Sequence, residues 1–339
     1  MVRLKDIAEE LGISVSTVSL VLNNKEGGRV NADLAKHVRD MAESLGYQPN
    51  LVARGLKTRK THTFGFVSDY VASVPFSSGI LSGAQEAARQ NGYLLLVVDT
   101  VGDQATEAEA IQALVQRDVE GLIVASDYHR RRDVPRIARR LPTVMLDCAP
   151  LDDSNGTPWI VPDERQGART ATQHLLAQGH ERVGYIGVAD SRYIARALRL
   201  DGFASAMTGA GLIPKEQYMI DADDPSTPAG RRAAAALLNL PEPPSAVFCF
   251  SDRIAMGVLQ VAQSRGLRVP EDLSIVGFDN QMFVADATLP GLTTVELPHR
   301  QMGRAAMHAA LALARGEDLA DQHQLIPCPL VVRDSVARP

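Results

Sequence analysis

Apolar residues recur along this chain with two different periods. Over the first forty-five residues the steps are helical: Leu4, Ile7, Ala8 and Leu11, then Val18, Val21 and Leu22, then Leu34, Val38, Met41 and Leu45. Each set lies on one face of a helix. Gly12 and Gly46 supply the exits, because a residue without Cβ accepts the left-handed conformation found there. Ser14 and Asn31 are placed to cap the second and third helices, a side-chain oxygen accepting from an orphan N–H. Packing through Val18, Val21 and Leu22 leaves Val15, Ser16, Thr17, Ser19 and Leu20 pointing outward. Two short helices around a glycine turn, the second exposing hydroxyls and small apolar groups, is the layout of a helix-turn-helix reader of DNA. A small bundle used only for packing fits the same pattern, and these residues alone leave both readings open.

Tyr47-Gln48-Pro49-Asn50 breaks the helical period. Leu51–Lys57 is a helix candidate with an internal glycine, too short to be stable in isolation. Residues 48–61 are therefore expected to be a linker, ordered only in some states. From Thr63 onward short apolar runs alternate with amphipathic segments. Strands are expected at Phe64–Val67, Tyr93–Val98, Gly121–Val124, Thr143–Leu146, Trp159–Val161, Val183–Ile186, Ala246–Cys249 and Leu273–Val276. Helices are expected over Leu81–Gln90, Glu107–Gln116, Val134–Arg140, Gln166–Gln178, Arg196–Ala210 and Ile254–Arg265. Such βαβ repetition predicts an α/β fold of doubly wound parallel sheets. Two runs of it suggest two lobes with a ligand between the carboxyl ends of their strands.

Length and composition bound the function. The chain has 339 residues, room for two or three domains, and no run of about eighteen apolar residues that would span a membrane. Met1-Val2-Arg3-Leu4-Lys5-Asp6 lacks the apolar core of a secretion signal, so a cytoplasmic protein is expected. Cys148, Cys249 and Cys328 are far apart and have no metal-ligand spacing, which predicts buried free thiols and no metal site. The net charge is −5, but residues 1–60 hold ten Lys/Arg against seven Asp/Glu, a local +3 that leaves −8 on the rest. A basic head on an acidic body is expected where only the head meets phosphates. A search for chemistry finds no Gly-x-Ser-x-Gly elbow, no His-Glu-x-x-His and no phosphate-loop lysine. His129, His174, His180, His299, His308 and His323 are scattered and are read as satisfied structural residues, with His180 at a helix C-terminus that favours a cation. Neither a catalytic site nor a cofactor is expected.

Ordered motifs along nearly the whole chain are similar to those of the lactose-repressor (LacI/GalR) family of bacterial transcription regulators. In the head these are Leu4-Lys5-Asp6-Ile7-Ala8, Ser16-Thr17-Val18-Ser19 and Asn23, followed by Tyr47-Gln48-Pro49-Asn50, Ala53 and Leu56. In the body they are His174-Leu175, Gly179-His180, Arg199-Leu200-Asp201-Gly202-Phe203, Val269 through Asp279, and Leu292-Thr293-Thr294-Val295. The resemblance implies a helix-turn-helix three-helix head at 1–47 and a hinge helix and linker at 48–61. It further implies a two-lobed core resembling periplasmic binding proteins. One lobe would be 62–160 with about 292–324, the other 161–291 with about 325–339.

By the same resemblance, Val15, Ser16 and Leu20 would face base edges, while Ser14, Thr17, Ser19, Asn23, Arg29 and Asn31 would touch phosphates. Asn50, Ala53 and Leu56 would act in the hinge, Leu56 as a wedge in a central base step. Many members carry Arg where this chain has Leu20. Leucine offers only apolar contact, so a departure from the family's usual half-site is expected at that base pair. Matches to effector contacts fall on Phe76, Thr100, Asp147, Arg199, Ser251 and Asp279. Ser251 replaces an amide, Pro225 stands where an aromatic often stacks, and Leu297 replaces a polar residue, which disfavours a plain hexose. The implied partners are pseudo-palindromic double-stranded operator DNA, a second copy of the chain in a homodimer and a small-molecule effector, sugar-like or otherwise carbohydrate-related. Repression is the family default. A solute-binding protein and an effector-independent operator binder are the alternatives.

Overall fold

The computed structural model describes residues 2–48, 60–152 and 156–339. The chain divides into two compact units, Met1–Thr61 and His62–Pro339. In the first, α1 (Leu4–Leu11), α2 (Val15–Leu22) and α3 (Ala32–Ser44) enclose a core of Ile7, Ala8, Val18, Val21, Ala35, Val38 and Ala42. Gly12 takes the left-handed conformation, φ 62°, that ends α1. The Ser14 hydroxyl accepts from Thr17 N at 3.1 Å, and Asn31 Oδ1 accepts from Asp33 N at 2.9 Å, so both caps form as expected. Leu45 differs from expectation. It lies beyond the last turn of α3 and is 36% exposed, and Ala35 and Ala42 fill the core in its place.

The second unit is built on two six-stranded sheets. The first sheet contains β1 (Thr63–Ser68), β2 (Leu94–Asp99), β3 (Leu122–Arg132), β4 (Thr143–Pro150), β5 (Trp159–Asp163) and β11 (His323–Pro327), in the order β11-β5-β4-β3-β1-β2. The second contains β6 (Val183–Val188), β7 (Met219–Ala222), β8 (Ala246–Cys249), β9 (Ser274–Asp279), β10 (Thr293–Glu296) and β12 (Leu330–Val331), in the order β12-β10-β9-β8-β6-β7. All pairings are parallel except β10 with β12. Parallel neighbours need crossovers, and helices supply them. α4 (Ser78–Gln90) and α10 (His299–Ala314) pack together over the first sheet, with α5 (Gln104–Val115) against β1. The second sheet is covered by the pair α6 (Glu164–Ala177) and α7 (Ile194–Gly209) and by the pair α8 (Thr227–Leu237) and α9 (Asp252–Ser264).

The chain crosses between lobes three times, after β5, after β10 and after β11, each time at a strand's carboxyl end. This corrects the expected lobe boundaries. Thr293–Glu296 pairs with β9 and belongs to the second lobe, while His323–Pro327 pairs with β5 and belongs to the first. The expected helix at Val134–Arg140 is also corrected. β3 continues to Arg132, and only a 3-10 turn, Arg136–Arg139, follows. Pro135 pushes the residue before it toward extended backbone, which leaves too few residues for an α-helix. The hinge segment, with Asn50, Ala53 and Leu56, lies outside the described residues.

Candidate nucleic-acid interface and effector cleft

In the head, α2 turns Val18 and Val21 into the core and leaves Val15 44% exposed. Leu20 is half-buried and is not part of the head's core cluster. Val15, Ser16 and Leu20 therefore remain available to a partner. The hydroxyls expected to meet phosphates are already organised among themselves. Ser14 Oγ lies 2.7 Å from Ser16 Oγ and 2.8 Å from Thr17 Oγ1, and Asn23 Nδ2 donates to Ser19 O at 2.7 Å. Arg29 is exposed. Asn31 caps α3 through its Oδ1.

In the body, a cleft of about 670 Å³ opens between the two lobes. A bulge builds its first-lobe wall. β3 and β4 are in register up to Ala125 with Leu146 and resume at Arg130 with Cys148, so four residues of β3 face Asp147 alone. A bulge re-aims side chains, and Asp127, Tyr128, His129 and Asp147 line the cleft. Asp147 itself sits at φ 53°. Tyr128 meets Tyr193 of the second lobe with ring centroids 4.8 Å apart, so aromatic contact closes one side.

At the cleft floor Arg199 is 3% exposed. Its Nε donates to Glu164 Oε2 at 2.6 Å, its Nη1 donates to Phe250 O, and Nη1 lies 3.4 Å from Asp279 Oδ1. The guanidinium carbon stands 3.6 Å from the Phe278 ring centroid and 4.4 Å from that of Phe250. Burial opposes its charge, but Glu164 and Asp279 more than compensate and hold it protonated. Arg199 is therefore a structural pivot first. Glu164, its partner, was invisible as a site residue in the sequence, since a carboxylate opening a helix reads as an ordinary dipole partner.

Other polar groups in the cleft lack partners. Asp147 Oδ1, His129 Nδ1 and His299 Nε2 are buried without a hydrogen bond, and all three residues line the cleft. Burial, reinforced by Glu164 and Asp127, raises the Asp147 carboxyl well above its usual range. Burial lowers the imidazole of His129 and takes that of His299 down to about 4, although Phe76 O accepts from its other nitrogen at 3.1 Å. Both rings are neutral near pH 7. Burial also raises Asp279, against the pull of Arg199, and raises Asp252, which Asp279 pushes further.

Phe76, Asp147, Arg199, Ser251 and Asp279 converge on this cleft, as do Pro225 and Leu297. Ser251 also caps α9, its hydroxyl accepting from Ile254 N at 3.3 Å. Thr100 does not belong to the site. It follows the edge strand β2, lies outside the cleft lining, and its hydroxyl donates to Ser68 O at 2.9 Å. The histidines also divide differently from expectation. His129 and His299 are unsatisfied groups of the cleft, whereas His180 is buried and bonded to Ser245 Oγ, Ser274 Oγ and Ala337 O. Burial lowers the His180 pKa, so it is not the helix-end cation that its position suggested.

Known proteins share both units. Residues 3–50 match the family described as bacterial regulatory proteins, lacI family, and residues 172–336 match a periplasmic binding protein-like domain. The HTH-type transcriptional repressor CytR of Escherichia coli is 31% identical over 334 residues, covering 98% of this chain and 95% of its own. The regulator GalR of the same organism is 32% identical over 339 residues, covering 100% and 97%. The solved lac repressor dimer, bound to operator and the anti-inducer ONPF, has a TM-score of 0.79 at 27% identity over 99% of both chains. A helix-turn-helix head with a two-lobed, cleft-bearing body defines a class, the DNA-binding transcription regulators that carry an effector domain. Within that class the chain belongs to the LacI family of bacterial regulatory proteins.

Proposed function

We propose that the protein is a cytoplasmic, homodimeric repressor whose affinity for a pseudo-palindromic operator is set by an uncharged, hydroxyl-rich, carbohydrate-related effector bound in the cleft. The observation that carries the effector reading is the set of buried atoms without partners, Asp147 Oδ1, His129 Nδ1 and His299 Nε2, in one cavity of ligand size. Unmade hydrogen bonds at buried groups cost about 1–3 kcal/mol each, which a ligand carrying donors and acceptors recovers. The lining carries more carboxyl groups (Asp127, Asp147, Glu164, Asp279, Glu296) than arginines (Arg199, Arg253, Arg300), which disfavours phosphates and carboxylates. Phe76, Tyr193 and Phe250 offer apolar faces to a ring.

In the head, Val15, Ser16 and Leu20 would read bases, and Ser14, Thr17, Ser19, Asn23, Arg29 and Asn31 would hold phosphates. Asn50, Ala53 and Leu56 would engage the operator centre. Two half-sites call for two heads, hence a dimer, the state in which the related lac repressor was solved on its operator. A related regulator, CelR, was solved with cellobiose, which agrees with a carbohydrate-related effector.

The test begins with selection of duplexes from a random pool by wild type and Leu20→Arg. A gain of guanine preference at one symmetric position in the variant is the expected result, and an unchanged consensus would remove Leu20 from the reading surface. Melting of the protein on a panel of sugars, polyols, nucleosides and their phosphates follows. Stabilisation by a neutral member, weakened in Asp147→Ala, supports the cleft as effector site. Operator affinity indifferent to every metabolite of a cell extract would instead mark an effector-independent repressor.

A further inference from the structure

The segment from Tyr128 to Leu146 holds six arginines, Arg130, Arg131, Arg132, Arg136, Arg139 and Arg140, and one acid, Asp133. Three of the six serve the fold. Arg130 pairs with Asp69, Arg132 pairs with Glu107, and Arg131 donates to Pro150 O at 3.1 Å. The other three are exposed, and no carboxylate among the described residues lies within ion-pair distance of Arg136, Arg139 or Arg140. They belong to the 3-10 turn and the residue after it, and together with Ile137 they line a shallow hollow. Ile137 and Leu141 pack on Val67, Leu114, Val119 and Leu122, which anchors the turn to the sheet. The arginines are thus held outward on a fixed platform, in a body whose net charge beyond residue 60 is −8.

Position indicates what they meet. Gly65 is in register with Leu122, and Leu122 with Thr143, so β1 and β4 begin at the same end of the first sheet, two strand spacings (about 10 Å) apart. The chain enters the body at that end, at Thr63 of β1. The patch offers no exposed large apolar side chain at its centre: its hollow is lined by three arginines and the half-buried Ile137. A protein partner asks for an apolar centre, whereas phosphates ask only for cations and hydrogen-bond donors.

We propose that Arg136, Arg139 and Arg140 form a second DNA contact, binding backbone phosphates that flank the operator held by the head. The contact reads no sequence and adds affinity and salt dependence. This rests on the chain being an operator binder, and the test separates the two claims. Duplexes of about 20 and about 45 base pairs carrying the same selected operator are titrated with three proteins, the wild type, Arg136→Gln/Arg139→Gln/Arg140→Gln, and a charge-matched control, Arg169→Gln/Arg231→Gln/Arg265→Gln, altered on the second lobe. Wild type and control should bind the longer duplex about tenfold more tightly at low salt. The first variant should lose that gain, bind the short duplex as wild type does, melt as wild type does, and show a salt slope on the long duplex shallower by at least about two. Equal affinities of wild type and variant on both lengths would overturn the proposal and leave an acidic protein as the candidate partner. An equal loss on both lengths, or the same loss in the control, would overturn it as well. Failure of all three proteins to bind any selected duplex would count against operator binding itself.

Discussion

Arg199 and Asp147 sit in one cleft and carry different burdens. Arg199 is enclosed by Glu164, Asp279 and two aromatic faces, so its removal leaves two buried carboxylates facing each other. Arg199→Ala should cost ~3–5 kcal/mol of stability by urea denaturation, and any effect on effector response would be secondary to that loss. Asp147 has no partner for Oδ1, and its pKa is raised by burial. A carboxyl raised on folding contributes its full stability below its unfolded pKa and loses it as pH climbs toward the folded value. Wild type should therefore weaken above about pH 4, the unfolded carboxyl range, relative to Asp147→Asn, which should melt higher at pH 8 and nearly level with wild type at pH 4. His299 works in the opposite direction. Its folded pKa is about 4, below the unfolded value, so its contribution is present at neutral pH and fades as pH falls from the unfolded value, about 6.5, through 4. A His299→Gln variant should lack that acid-side decline in melting temperature.

Helix pairs hold each lobe together by close backbone approach. A Cβ at Gly303 of α10 would collide with the backbone oxygen of Ile80, and one at Gly83 of α4 with that of Arg300. Gly303→Ala should lower stability by about 1–3 kcal/mol in urea denaturation, because backbone on both sides must shift. At this scale the helices with clear apolar periods were legible, as were most strands. α8 and α10 were not. Both are rich in small residues, the run Thr227–Leu237 of α8 and Gly303, Ala305, Ala306, Ala309, Ala310 and Ala312 of α10, so that buried and exposed faces look alike. β7, β10, β11 and β12 were missed because they lie at or near sheet edges, alternate poorly and are short.

For the whole molecule, the proposed control of operator affinity is a coupling between two sites, of the order of 1–3 kcal/mol and reciprocal by linkage. Contact across the cleft should matter to it. Tyr193 reaches Tyr128 of the other lobe and also lies 6.0 Å from Phe250, ring centroid to ring centroid. Tyr193→Ala should leave effector-free operator binding within about threefold of wild type while shrinking the effector-dependent change to less than half. A variant with a full effector response would show that these rings do not join closure to the head. The size of such shifts follows from differential affinity for two states and not from total affinity.

The sequence by itself determined the three head helices, their caps, the alternation of strands and helices, and the residues that α2 turns outward. These depend on neighbours three or four positions away, or on runs of a few residues, and local physics decides them. Tertiary structure decided what the cleft contains. The bulge that aligns Asp127, Tyr128 and His129 beside Asp147 arises from pairing between strands, and the Glu164–Arg199 bond joins residues on two helices. Thr100 dropped out because strand order carried β2 to an edge, and His129 and His299 came in because folding buries His129 Nδ1 and His299 Nε2 without a hydrogen-bond partner in the cleft lining. Strand order, bulge register and burial are properties of distant segments meeting, and no local period encodes them.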